Sequence, residues 1–143
     1  SFAAHAVRPY LEALPELRLT LDISHWCVVS ESLLTDQEEA VSLALERAEH
    51  LHARVGGAQT PQIIDPRSPI WKGEVKSHLG WWRRVAERFA EEGRDRLTVT
   101  VEFGPVPYTT VHPEHGNPIL EQWDANMAIR QLLRAHLSDL LES

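Results

Sequence analysis

Three short stretches of this chain alternate apolar and polar residues, and each carries an acid or a histidine late on its polar side. They are Leu17-Arg18-Leu19-Thr20-Leu21-Asp22, His50-Leu51-His52-Ala53-Arg54-Val55 and Leu97-Thr98-Val99-Thr100-Val101-Glu102. In a strand, residues two apart share a face. Leu17, Leu19 and Leu21 therefore point one way, and Arg18, Thr20 and Asp22 the other. The same split separates Leu51, Ala53 and Val55 from His50, His52 and Arg54, and Leu97, Val99 and Val101 from Thr98, Thr100 and Glu102. The spacers between these stretches are too long for hairpins and read as helices. This predicts strands near 17–22, 50–55 and 97–102.

The first spacer, 35–49, opens on Thr35 and Glu38, the pattern of a capping box, and continues with Val41, Leu45 and Ala48 at helical spacing. The second, 68–92, opens on Ser68-Pro69, an N-cap residue followed by proline at the first helical position, and stops at Gly93. After the third strand a proline-rich loop runs from Gly104 to Gly116. A last helix over 117–141 then carries Ile129, Leu132, Leu133, Leu137, Leu140 and Leu141 on one stripe. Ala6 to Leu14 reads as the end of a further helix ahead of the first strand, as though the chain were cut from something longer.

The order is thus β-α-β-α-β-α, an α/β class in which helical crossovers make the strands parallel and right-handed. Strands of an open doubly wound sheet are usually apolar on both faces. These have a polar face, as in a barrel whose helices cover the apolar outside while polar residues line the active end of the lumen. An antiparallel sheet with one wet face would alternate in the same way, but it needs short hairpins. A complete eight-stranded α/β barrel takes about 250 residues. Residues 1–143 are therefore expected to form a single partial barrel domain. Its open sheet edges would require a second copy or the rest of a barrel.

On such a frame Asp22, His52 and Glu102 meet at the C-terminal ends of neighbouring strands. An Asp, a His and a Glu at one point are ligands for a divalent metal. Asp22 has a competing role as a turn cap through Ser24, with His25 merely exposed in the loop above. His50 shares the polar face, but His52 lies nearer the strand end and is the preferred ligand. Glu102 could also move a proton. Arg54 could fork onto a substrate oxygen or phosphate, and Trp26 beside His25 could stack on a substrate. Gln59 and Gln62, in the loop after Gly56-Gly57, are candidates for sugar hydroxyls. His112 and His115 read as surface residues, and Trp71, Trp81, Trp82 and Trp123 as packing residues of helices.

Composition narrows the classes. A formal net charge of −7 argues against a nucleic-acid backbone as partner. No apolar run approaches the roughly 20 residues of a membrane span, and no charged-apolar-small signal peptide opens the chain. A single cysteine, Cys27, excludes an internal disulfide and fits a cytoplasmic location. Eight histidines favour metal or proton chemistry.

The segments Leu21-Asp22-Ile23-Ser24-His25-Trp26, His50-Leu51-His52-Ala53-Arg54-Val55-Gly56 and Val101-Glu102-Phe103-Gly104-Pro105 together resemble the last three strands of the xylose-isomerase-like barrel family. That family holds sugar and sugar-phosphate isomerases and epimerases, and the related apurinic endonucleases. The resemblance implies the C-terminal three strand-helix units of a (β/α)8 barrel. It makes Asp22, His52 and Glu102 three of four protein ligands to manganese, magnesium, cobalt or zinc, and puts His25 on the substrate. The fourth ligand of the family is a Glu on an earlier strand, paired with Glu102 in acid-base work, and this chain has no strand to carry it. The substrate-binding arginine of the family often lies farther beyond the ligand histidine than Arg54 does, which makes Arg67 a rival. The expected activity is metal-dependent interconversion of a sugar or sugar phosphate through an enediolate. The alternatives are a metal hydrolase of the endonuclease kind and a non-catalytic assembly piece.

Overall fold

The computed structural model describes residues 3–141. Among them a parallel sheet of three strands runs in the order β1 (Leu19–Leu21), β2 (Ala48–Ala53), β3 (Thr98–Val101). Helix α1 (Ala4–Ala13) precedes β1, α2 (Ser24–Val29) and α3 (Glu38–Arg47) join it to β2, and α4 (Lys72–Glu91) joins β2 to β3. Helices α5 (Gln122–His136) and α6 (Ser138–Leu141) close the described chain. The parallel α/β order expected from the spacers is present. No described helix is long and apolar enough to cross a membrane.

The alternation works as expected. Leu21, Leu51 and Ala53 are buried in the one core that also takes in Val41, Leu45, Trp82, Val85, Phe89 and Ile129 from the helices. Thr20, Thr98 and Thr100 on the other face are exposed, and His50 and His52 are half-buried.

The boundaries differ for identifiable reasons. β2 begins two residues early, directly on the end of α3, where the Arg88 guanidinium donates to the Ala48 carbonyl. It stops at Ala53 because the Arg54 N–H turns back onto the His52 carbonyl at 3.2 Å. β1 is shorter than 17–22, since Leu17 is tied back to the Leu14 carbonyl at 3.0 Å. The Thr35–Glu38 capping box does not form. The Glu38 carboxylate instead accepts from Ser42 at 2.9 Å and from Arg84 at 2.9 Å. Pro69 does stand at the first position of its helix, but it opens a 3-10 turn (Pro69–Trp71) ahead of α4. At the other end of α4, Gly93 has φ +66 and its N–H meets the Ala90 carbonyl, while the Arg94 N–H meets that of Phe89. That double bond is the Schellman stop, which favours glycine. The last helix starts at Gln122 rather than 117. Residues 110–119 instead fold back on themselves, with the His112 N–H on the Asn117 carbonyl and the Ile119 N–H on that of Thr110.

Candidate metal centre

Asp22 and Glu102 each follow the last residue of a strand, and His52 is the next-to-last residue of β2. Parallel pairing of His52 with Thr100 brings Glu102 beside it. One donor atom from each of Asp22, His52 and Glu102 lies within 4.8 Å of the others, and all three side chains are half-buried. His52 Nδ1 is 2.7 Å from Glu102 Oε2. That oxygen is buried and has no hydrogen-bond partner among the described residues, so the contact is close without the direction of a hydrogen bond. Two donors held at about 2.1 Å from one octahedral ion lie about 3 Å apart. A nitrogen and an oxygen at that spacing, with a second carboxylate alongside, fit a divalent cation. Two carboxylates and an imidazole suit a divalent cation of hard to intermediate character.

His50 is not part of this set. Its Nδ1 meets Thr98 Oγ1 at 2.7 Å and its Nε2 meets Thr100 Oγ1 at 3.1 Å, so both ring nitrogens are engaged on β3. Strand pairing thus groups His52, and not His50, with Asp22 and Glu102.

Asp22 also caps the turn that starts α2. Its Oδ1 accepts from the Ser24 N–H at 3.1 Å and from the Ser24 hydroxyl at 2.5 Å, and its Oδ2 accepts from Arg54 Nη2 at 2.5 Å. The turn cap and the convergence on His52 and Glu102 therefore occur together. Arg54 is 4% exposed and adds a bond from Nε to Ser24 Oγ at 3.1 Å. Its guanidinium is turned onto Asp22, Ser24 and His25, where the sequence led to the expectation of a substrate contact. A buried cation beside a buried carboxylate offsets the desolvation of both.

His25 lies in the first turn of α2, not in a loop, with 45% of its side chain exposed. Arg54 Nη2 is 2.6 Å from His25 Nε2. Arginine has no acceptor, so Nε2 accepts and Nδ1 carries the proton. Trp26, the next residue, is 2% exposed in the core, with no ring face left for a substrate to stack on. The aromatic ring that reaches the site is Tyr108, half-exposed, with the Arg54 guanidinium carbon 5.2 Å from its centroid. Arg67 is not brought to the triad. It forks onto Asp65 at 2.9 and 3.0 Å, holding that carboxyl below the usual range, and lines a separate groove with Lys72 and Lys76.

Several positioning residues have no motif to announce them. Gln62 accepts the Gly104 N–H at 2.7 Å and donates to the Gly104 carbonyl and to Thr109, both at 3.2 Å, so it is a latch and not a sugar contact. Asn126 on α5 accepts from the Phe103 N–H at 2.8 Å and donates to the Phe103 carbonyl at 3.0 Å. Between them these two amides fix the backbone just after Glu102. Gly56 is required by close approach: a Cβ there would meet Ser24 Cβ at 2.9 Å and the Ser24 carbonyl at 3.0 Å. His78, wholly buried on α4, donates from Nδ1 to the Glu74 carbonyl at 2.8 Å and accepts the Gly56 N–H at 3.4 Å. Burial pushes the His78 imidazole down to about 4 and the Cys27 thiol up to about 12. Cys27 is thereby a packing residue without nucleophilic character. His112 and His115 are exposed as expected, whereas Trp123, expected as a packing residue, is 71% exposed.

No protein-family model, curated protein or solved structure matches this chain.

Proposed function

We propose that this chain supplies part of the active site of a metal-dependent sugar or sugar-phosphate isomerase or epimerase of the xylose-isomerase-like kind. The observation that carries the reading is the convergence of Asp22, His52 and Glu102 at the C-terminal ends of parallel strands, where α/β barrels carry their chemistry. These three residues would hold the cation. When bound, it supplies Lewis-acid polarisation of substrate oxygens and neutralises charge developing on them.

The chain's own residues divide the remaining work. Glu102 takes the proton from the carbon next to the substrate carbonyl. The C–H electron pair moves into a carbon–carbon double bond as the carbonyl pair moves onto oxygen, giving the enediolate. Return of a proton to the neighbouring carbon, with the hydroxyl proton passing to the former carbonyl oxygen as the new carbonyl forms, completes isomerisation, and return to the same carbon from the opposite face completes epimerisation. His25, with Nε2 held by Arg54, keeps its Nδ1–H for a substrate oxygen. Tyr108 offers the half-exposed ring for the apolar face of a sugar. The fourth ligand and second base expected for this family come from a strand outside these three. A net charge of −7 favours small sugars over nucleic acid, and so favours this reading over a nuclease.

The test is proton exchange. The chain with manganese in deuterated water, given a panel of ketoses, aldoses and their phosphates, is expected to place deuterium on the carbon next to a carbonyl in at least one of them, read by NMR. Glu102→Gln is expected to abolish the exchange. Exchange that persists at the wild-type rate in Glu102→Gln would remove Glu102 from the mechanism.

A further inference from the structure

A sugar phosphate needs a place for its phosphate. Proteins supply one with free Arg or Lys side chains, or with unpaired N–H groups at loops and helix N-termini. In α/β barrels that place is frequently built from the loops after the last two strands. Under the isomerase reading these are the loops after β2 and β3, on the side where Asp22, His52 and Glu102 converge.

The cationic side chains at this end are committed within the protein. From Leu19 to Glu46, and again from Phe103 to Ile129, the chain holds no Lys or Arg. The segments leaving β1 and β3 therefore bring none to the site. Between β2 and α4 stand Arg54 and Arg67. Arg54 is 4% exposed and is turned onto Asp22, Ser24 and His25. Arg67 forks onto Asp65, and the groove it lines includes no member of the triad. The segment leaving β3 carries acids instead: Glu114, Glu121 and, in the first turn of α5, Asp124 are all exposed. Its histidines, His112 and His115, face each other in an exposed turn with ring centroids 4.7 Å apart.

The backbone donors are committed too. At the start of α2 the Ser24 N–H already meets a carboxylate, Asp22 Oδ1, at 3.1 Å. After β2 the Gly56 N–H meets His78 Nε2 at 3.4 Å and the Gly57 N–H meets the Thr60 carbonyl at 2.8 Å. After β3 the Phe103 N–H meets Asn126 Oδ1 at 2.8 Å and the Gly104 N–H meets Gln62 Oε1 at 2.7 Å. A phosphate at any of these groups would have to displace an internal partner. The groups left open beside the triad carry no formal charge: the Nδ1–H of His25 and the half-exposed ring of Tyr108.

We propose that the site takes a free sugar and rejects the phosphate ester of the same sugar. The chemistry in this proposal rests on the isomerase reading, whereas the selection against phosphate rests on the loops alone. A free sugar offers hydroxyls to His25 and an apolar face to Tyr108. A phosphate ester adds about two negative charges. The proposed cation serves the carbonyl end of the substrate, so the phosphate end meets loops with exposed acids and no free Arg or Lys.

Two measurements test this, and the first does not depend on turnover. The metal-free, isotope-labelled chain is titrated into the millimolar range with fructose phosphorylated on its terminal carbon, and amide NMR is recorded. The amides of Ser24, Gly56, Gly57, Phe103 and Gly104 are expected not to move. A saturable shift in any of them would reveal a phosphate cradle and overturn the proposal. The second measurement runs the deuterium-exchange assay with manganese on matched pairs, each free ketose or aldose beside its terminal phosphate. The free member is expected to exchange at least about tenfold faster, since a like charge set against the exposed acids is unfavourable. An ester that exchanges as fast as the free sugar, or faster, would overturn the proposal. Exchange in neither member of any pair would sink the isomerase reading, and the amide titration would still decide whether these loops hold phosphate.

Discussion

Replacing Arg54 with methionine is expected to lower folding stability by about 3–5 kcal/mol in metal-free buffer, the usual cost of removing one partner of a buried ion pair. The cost arises on Asp22, which is 11% exposed and would lose its bond to the guanidinium while Ser24 still holds Oδ1. Methionine preserves most of the arginine's apolar volume, so the loss reports charge rather than a cavity. The candidate metal centre makes a second prediction for the same variant. A cation held by Asp22, His52 and Glu102 acts on an Asp22 charge that Arg54 no longer compensates. Manganese should therefore stabilise Arg54→Met by more than it stabilises the wild type. Ligand at about 100 times its dissociation constant stabilises by about 2.7 kcal/mol, enough to recover a large share of the loss. Urea unfolding of both proteins with and without manganese measures all four stabilities. A variant that loses stability but gains nothing extra from manganese would take Asp22 out of the ligand set.

Acid should weaken the fold well before the carboxylates titrate. His78 is neutral in the folded protein down to about pH 4, because burial among apolar groups disfavours its charged form. In the unfolded chain it protonates near 6.5. Between those values the unfolded state binds a proton that the folded state does not. The stability is therefore complete above pH 6.5 and falls as pH drops, by about 1.4 kcal/mol per unit and about 3 kcal/mol by pH 4. Asp65, Glu49 and Asp139 have lowered values from their arginine partners and are about a third or more exposed, so their losses are screened and come at lower pH. His78→Gln isolates the effect. Its stability at pH 7 is expected to be lower, since Gly56 and Glu74 lose well-placed partners, but its slope between pH 6.5 and 4 should be flatter than that of the wild type. Equal slopes would show that His78 is not the group that titrates.

Much of this was written in local pattern. The period-two alternation around Leu19, Leu51 and Val99 separates a core face from a polar face, and the long helical spacers force parallel pairing. Those two facts place Asp22, His52 and Glu102 together without further information. The helix ends were less legible because distant partners decided them. Glu38 is drawn to Ser42 and Arg84 instead of back to its own N-terminus, and Arg88 helps begin β2 early through the Ala48 carbonyl. The role of Arg54 was hidden for the same reason. A strand pattern shows that it shares a face with His52, but not that Asp22 and Ser24 will bury its guanidinium. Trp26 follows a site residue in sequence yet points into the core, because the turn capped by Asp22 starts a helix and not a loop. Gln62, His78 and Asn126 act on backbone groups far away in sequence, and no spacing rule marks such residues.

The central claim is that Asp22, His52 and Glu102 form a divalent-metal centre, and native mass spectrometry of the chain with and without manganese tests it most directly. The expected spectrum shows about one manganese per site in the wild type, and none in His52→Ala or Glu102→Gln under the same conditions. A wild-type chain that takes up no manganese, or one whose uptake is the same in those variants, would contradict the claim.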